Sequence, residues 1–361
     1  MSSILDNHNR RNLLAALGRL SVAGAIAPVA ATGLVSPAAA ATVRDGIAER
    51  TELAAETTAT AVVDALENAY GVHAGKRRNH TKGIGVQGTF TGLPDGAAYS
   101  RSALFSGAVI PVVGRFSLAG GDPDAADTER SPRGLGLEFR LPNGALHHIT
   151  MIHTPMFFAA VPGTFLDKFN ALTPDPATGK PDPAKFKAFM ARHPDNASQA
   201  HFLNENNPPA SYVNCAYYGI HAFKFIDKND KVSIVRFRFA PQDGEKQLSS
   251  GALGSAPRDF LELALIERLR QGPARWDMIL TIGEPGDPED DPTVLWPENR
   301  REVKVGTLTL ESATADRSSG SYNINFDPMM LDDGIAATND PVLLFRSSSY
   351  AISHARRLQQ V

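Results

Sequence analysis

Between residues 84 and 310 apolar and polar side chains alternate repeatedly with a period of two, and this rhythm constrains the fold more than any other feature. Ile84, Val86 and Phe90 fall on one face of an extended segment, with Gly88 where another backbone can approach closely. Leu135, Leu137 and Phe139 repeat the pattern, and His147 to Met151 continue it. Leu93-Pro-Asp-Gly96 and Leu141-Pro-Asn-Gly144 read as the turns between such strands. Further strands are predicted at 211–225 and 231–239, split by the hairpin-like Asp227-Lys-Asn-Asp230, and at 276–282 and 303–310. Strands apolar on one face must pair and cover that face, so a sheet-built core is required.

Helical spacing interrupts the strands. Leu53, Val62, Val63, Leu66 and Ala69 predict an amphipathic helix over 48–70, stopped by Gly71. Short helices are expected between about 158 and 207, another over 257–271, and the C-terminal end reads as helical. The order is α+β: strands, a helical insertion, strands, then helices. The single cysteine, Cys215, forbids an intrachain disulfide, so the core alone must hold the fold. A chain of 361 residues that is 42% hydrophobic can build one. A net charge of −3 gives no reason to expect nucleic acid or an anionic membrane as partner.

Residues 1–41 read as an export signal. Asn9-Arg10-Arg11-Asn12-Leu13-Leu14 is a twin-arginine pattern, a mildly apolar run follows, and Ser36-Pro-Ala-Ala-Ala-Ala41 offers a small-residue cleavage site. Pro28 and several glycines make the apolar run a poor spanning helix, so no stable membrane insertion is expected after processing. The twin-arginine export machinery is then a partner, and residues 42–361 form the mature, periplasmic or secreted protein. The oligomeric state stays open, a homo-oligomer included.

Candidate chemistry is concentrated in a few blocks. Arg346 lies four residues before Tyr350, one helical turn away on the same face. A guanidinium there stabilises a phenolate, a form of tyrosine that binds ferric iron. Upstream stand Arg77-Arg-Asn-His80-Thr-Lys-Gly83, then Gly114-Arg115-Phe116-Ser117 and Ala126-Asp-Thr-Glu-Arg-Ser-Pro132-Arg133-Gly134. Thr154-Pro-Met-Phe-Phe158, Tyr218-Gly-Ile-His221-Ala-Phe223-Lys224 and Asn325-Phe-Asp327-Pro328 follow in order. His147, His148 and His153 raise a zinc reading, but neighbours on a strand face opposite sides and no Cys or HExxH pattern accompanies them.

These blocks resemble the haem catalase family, from about residue 65 to the end. The family's R-x-x-H-A-K-G is R-R-N-H-T-K-G here, and its V-R-F-S and A-D-T-x-R-D-P-R-G-F are G-R-F-S and A-D-T-E-R-S-P-R-G-L. The resemblance implies an eight-stranded antiparallel β-barrel with helical insertions, and haem b between the barrel and a C-terminal helix that supplies the ligand Tyr350. The chain ends eleven residues after Tyr350, so no flavodoxin-like C-terminal domain is expected, as in the small catalase-related peroxidases. Twin-arginine export, which carries folded proteins, suits a protein loaded with its cofactor before it leaves the cytoplasm.

Residue by residue, the resemblance makes His80 the distal acid–base group and Ser117 its orienter. Arg77, Arg115 and Arg357 become propionate partners, a role suited to guanidinium forks, with His354 nearby. Phe165 becomes a residue packed on the porphyrin face, with Phe157 and Phe158 as core, and His221 a proximal-side residue without a catalytic role. In one place the chain departs from the family. Where the family reads N-N-T-P-x-F-F this chain has Met151-Ile152-His153-Thr154-Pro155, so Ile152 stands in for the distal asparagine. Isoleucine donates no hydrogen bond, and His153 should face the other side of the strand. The implied function is a peroxidase that reduces hydrogen peroxide or organic hydroperoxides with an organic electron donor, through an oxyferryl intermediate. A true catalase, a lipid-hydroperoxide isomerase and a non-catalytic haem-binding protein remain the alternatives.

Overall fold

The computed structural model describes residues 57–360; the export signal expected over 1–41 lies outside them, as does the first part of the helix expected over 48–70. What is described of that helix, α1 (Ala59–Tyr70), is capped by the Thr58 hydroxyl, which accepts from Ala61 N at 3.1 Å. It stops at Gly71, whose φ of 77° suits a residue without a Cβ.

Ten strands follow: β1 (Gly83–Gly92), β2 (Val109–Leu118), β3 (Arg133–Arg140), β4 (Leu146–Ile152), β5 (Tyr217–Tyr218), β6 (Phe223–Ile226), β7 (Val232–Pro241), β8 (Ala274–Ile282), β9 (Glu302–Ala315) and β10 (Ile335–Ala337). Their order is β10-β6-β7-β5-β4-β3-β2-β1-β9-β8, and β8 pairs back onto β7. Eight strands thus close into an antiparallel barrel that leaves no open edge. β6 and β10 extend it outside the ring. Helix α2 (Pro162–Leu172), α3 (Pro183–Arg192) and α4 (Ala197–Glu205) form the insertion. α5 (Phe260–Arg270) precedes β8, and α6 (Pro341–Leu358) ends the chain.

The alternation read from the sequence sorts the barrel's two faces. Ile84, Val86, Phe90, Phe116, Leu135, Leu137, Phe139 and Trp276 point inward and belong to one core. Phe116 stacks on Tyr212 with ring centroids 4.9 Å apart. A fully buried side chain of this size contributes roughly 2–3 kcal/mol, so the barrel interior supplies the bulk of the stability. Gly88 sits at a β-bulge against the Thr309 carbonyl, as its place in the pattern required.

Two expectations need correction. The strand over 211–225 is instead a 3-10 turn (Tyr212–Asn214), the two-residue β5, a loop and then β6. The chain leaves the sheet at Gly219, packed beneath the Phe237 ring, and at Ile220 with φ 30°, because buried His221 turns away to meet Asp340. Phe157 and Phe158 are not barrel core. They pack with α1 and α2 residues in a second cluster that includes Ala65, Leu66, Phe165 and Phe169.

Charge pairs fix α1 to its surroundings. Glu67 receives Arg78 at 2.5 Å and Arg356 of α6 at 2.7 Å, while Asp64 receives Arg356 at 2.7 Å. α1, α2 and α6 therefore lie together on the outside of the barrel.

Candidate active site

The space between the barrel's outer face and helices α1, α2 and α6 is a cavity of about 400 Å³, within the range of small-ligand sites. It is lined by every residue that the resemblance assigned to the distal pair or to the haem: Arg77, His80, Arg115, Ser117, Phe165, Arg346, Tyr350 and Arg357. Strand alternation explains the barrel's share. On β2, Phe116 points inward, which turns its neighbours Arg115 and Ser117 outward.

His80 is held with unusual firmness. Its backbone has φ 54°, a region uncommon for a residue with a Cβ. Asn79 Oδ1 accepts from His80 N at 2.9 Å and from Gly120 N at 2.8 Å, while Arg115 donates to the carbonyls of His80 (2.8 Å) and Thr81 (3.0 Å). The imidazole Nδ1 lies 2.9 Å from Ser117 Oγ. The ring is half-buried, and it faces the cavity rather than the outer surface. Burial pushes its pKa down to about 3, with Arg115, Arg346 and Arg77 adding to the effect. It is therefore a neutral imidazole, with one ring nitrogen unprotonated.

Gly134, on β3, makes room for this pair. A Cβ there would stand 2.7 Å from Ser117 Oγ and 2.8 Å from His80 Nδ1 and Cε1. Ile152 is the register partner of Gly134 across β3 and β4, so its side chain shares the same face, one cross-strand step from the imidazole. It lines the cavity and is 8% exposed. His153 points elsewhere, with its Nδ1 accepting from Arg133 N at 3.0 Å.

A second network surrounds Tyr350. Arg346 Nη2 donates to the Tyr350 hydroxyl at 2.6 Å and to Thr150 Oγ1 at 2.7 Å. Its Nη1 lies 3.1 Å from His221 Nε2, and His221 Nδ1 lies 2.6 Å from Asp340 Oδ2. A guanidinium only donates, so Nε2 of His221 accepts and Nδ1–H donates to Asp340. Burial lowers the His221 pKa, against the pull of Asp340 and with the help of Arg346. Asp340 also caps α6, accepting from Val342 N at 2.8 Å and Leu343 N at 3.1 Å, so the helix bearing Tyr350 is anchored to the same chain of bonds.

The arginines form a third group. Arg115 is bound to Asp316 at 2.7 Å. Lys76 (3.8 Å) and Arg77 (4.0 Å) share that one carboxylate. Arg77 also donates to the carbonyls of Ser321 and Ile324, both at 3.0 Å. Arg357 donates to His354 Nδ1 at 2.8 Å. Burial, then repulsion from Arg115 and Arg357, lowers the Arg77 pKa well below its usual value.

Sequence reasoning missed Asn79, Thr150, Gly134, Asp340 and the part played by His221. Only Asp340 carried a readable signal, an N-cap aspartate followed by Pro341.

A closed antiparallel barrel, an oriented neutral imidazole and an arginine-bonded tyrosine on one cavity define a protein of the catalase type. The chain belongs to the catalase family, whose profile matches residues 58–361. It is an oxidoreductase of the haem peroxidase and catalase type. It is 51% identical over 312 residues to a catalase-related peroxidase of Synechococcus elongatus, covering 86% of this chain and 92% of that one. A catalase-related peroxidase of Mycolicibacterium paratuberculosis is 33% identical, with 81% and 92% covered. Among solved structures a fungal catalase superposes with a TM-score of 0.71 at 25% identity, over 78% of this chain and 59% of that one. The chain thus spans less than two thirds of that larger catalase.

Proteins of this family carry haem, and the cavity fits the group. No aspartate or glutamate lines it among the described residues, Arg77 and Arg115 share the one carboxylate of Asp316 with Lys76, and a dianionic ligand would relieve the repulsion among Arg77, Arg115 and Arg357. The phenol oxygen of Tyr350 supplies an oxygen donor, and Phe165 and its neighbours supply flat apolar walls.

Proposed function

We propose that this protein is a haem b peroxidase that reduces hydrogen peroxide or an organic hydroperoxide with electrons from an organic donor. The observation that carries this reading is that the His80–Ser117 pair and the Arg346–Tyr350 pair face one cavity. A protein that merely holds haem needs only the second pair.

Tyr350 would ligate the iron through the oxygen that Arg346 holds, and Arg77, Arg115 and Arg357 would receive the propionates. Phe165 would pack on the macrocycle. When bound, haem supplies the iron at which peroxide is cleaved and the oxidising equivalents that a donor neutralises. The chain's own residues manage the proton. With Nδ1 fixed by Ser117, His80 Nε2 accepts a proton from one peroxide oxygen and returns it to the other, which leaves as water. A neutral imidazole is the form this transfer needs. Ile152 gives a second hydrogen peroxide molecule no hydrogen bond, so a donor rather than peroxide completes the cycle. The enzyme would act outside the cytoplasm, exported folded through the signal at Arg10-Arg11. Arg10→Lys with Arg11→Lys should then leave folded precursor inside the cell.

The test is an optical titration of the holo-protein with hydrogen peroxide, with and without a phenolic donor, alongside an oxygen electrode. Donor oxidation with little oxygen release supports the peroxidase. Vigorous oxygen release without donor oxidation would make it a catalase, and neither response would make it a haem-binding protein.

A further inference from the structure

The α2 side of the cavity holds a cation that neither the proton transfer nor the propionates use. Lys168 lines the cavity one turn after Phe165 and next to Phe169. Its Nζ stands 3.8 Å above the centre of the Phe158 ring and donates to Asn196 Oδ1 at 3.0 Å. Phe165 lies against Phe158 and Phe169, with ring centroids 5.5 and 4.6 Å away.

Among the described residues no carboxylate reaches ion-pairing distance of this ammonium. Asp195 acts on it only from further off, and its Oδ2 accepts from Ala160 N and the Thr164 hydroxyl, each at 3.0 Å. An ammonium has three donors, and Asn196 uses one. Burial lowers the group to about 8, with Asp195 opposing, so most of it stays charged at neutral pH. A long lysine side chain ordinarily carries its charge out to water. Here it is half-buried in an aromatic wall, where the Phe158 ring and Asn196 offset the charge only in part and no carboxylate pairs with it. The wall around it is otherwise apolar, with Phe158, Phe169 and Leu172 at its back.

We propose that Lys168 and the Phe158–Phe165–Phe169 wall form an anion subsite that receives the carboxylate of an apolar organic substrate, whose remaining part extends along the cavity toward His80. This rests on the peroxidase reading, and the carboxylate belongs either to the electron donor or to an organic hydroperoxide.

Holo-protein, Lys168→Met and Lys168→Arg are titrated calorimetrically with benzoate and with benzamide. Benzoate should bind wild type and Lys168→Arg roughly tenfold or more tightly than Lys168→Met, with benzamide unaffected. Steady-state kinetics then compare 3-(4-hydroxyphenyl)propionate with its methyl ester as donors, and a fatty-acid hydroperoxide with its methyl ester as oxidants. A raised KM for the acid alone, with kcat kept, assigns the subsite to the donor in the first pair and to the hydroperoxide in the second. Equal effects on acid and ester, benzoate binding unchanged in Lys168→Met, or loss of haem from that variant would overturn the proposal. Lys168→Gln serves as the second neutral variant should Lys168→Met fold poorly. Failure of wild type to oxidise any donor would sink the peroxidase reading, while the benzoate titration would still decide the subsite.

Discussion

Gly134→Ala would place a methyl group where the distal pair is most tightly packed. The added Cβ would stand 2.7 Å from Ser117 Oγ and 2.8 Å from two atoms of the His80 ring, and ordinary contact begins at 3.4 Å. The pair must therefore retreat by about 0.6–0.7 Å. The backbone of His80 cannot supply this movement, because Asn79 holds its N–H and Arg115 its carbonyl. The ring must tilt, and the 2.9 Å contact with Ser117 stretches toward the limit of a hydrogen bond. A misplacement of 1 Å can cost about 10²-fold in rate, so a shift of this size should slow the peroxide reaction about tenfold, and more if Ser117 is lost as orienter. Overpacking should cost about 1–3 kcal/mol of stability. Stopped-flow mixing with hydrogen peroxide would measure the rate, with haem content and Tm as controls. Because Ser117→Ala opens the space that the methyl needs, the double variant should be no slower than Ser117→Ala alone. Full haem content together with a wild-type rate in Gly134→Ala would refute the account of how His80 is positioned.

Tyr350→Phe should lose most bound haem and the tyrosinate spectrum, and an unchanged spectrum would remove Tyr350 as ligand. His80→Ala should keep haem but react with peroxide roughly 10²–10⁴-fold more slowly, and a near wild-type rate would take His80 out of the mechanism. With His80 held down at about 3, the peroxide step of wild type should be flat from about pH 5 to 8, where a free imidazole would titrate near ~6.5; an inflection near that value would contradict the burial argument. The same shift makes His80 a source of acid sensitivity. The unfolded chain takes up its proton near ~6.5 and the folded chain only near 3, so stability is full above the first value and falls as pH drops toward the second. Ile152→Asn should raise oxygen release relative to donor oxidation while leaving the first peroxide step little changed. No shift in that ratio would mean that Ile152, although beside Gly134 in register, does not govern the second peroxide.

What the sequence by itself determined is local. Period-two spacing placed Ile84, Val86 and Phe90 on one face of a strand, Gly71 stopped a helix, and a four-residue step put Arg346 beneath Tyr350, because backbone sterics fix those repeats within a few residues. His80 and Ser117 were legible through their motifs. That Arg115 and Ser117 on β2 are as buried as Phe116 between them was not legible, because the cover over the barrel's outer face comes from distant helices. The break at Ile220 was equally hidden, since its cause is Asp340, more than a hundred residues away. Asn79, Gly134 and Lys168 look ordinary in the chain. Their parts depend on which carbonyl, ring or amide the barrel's register and the docking of α2 bring within 3–4 Å. Those distances follow from how the strands pair and close around the core, and only the tertiary structure decides that pairing.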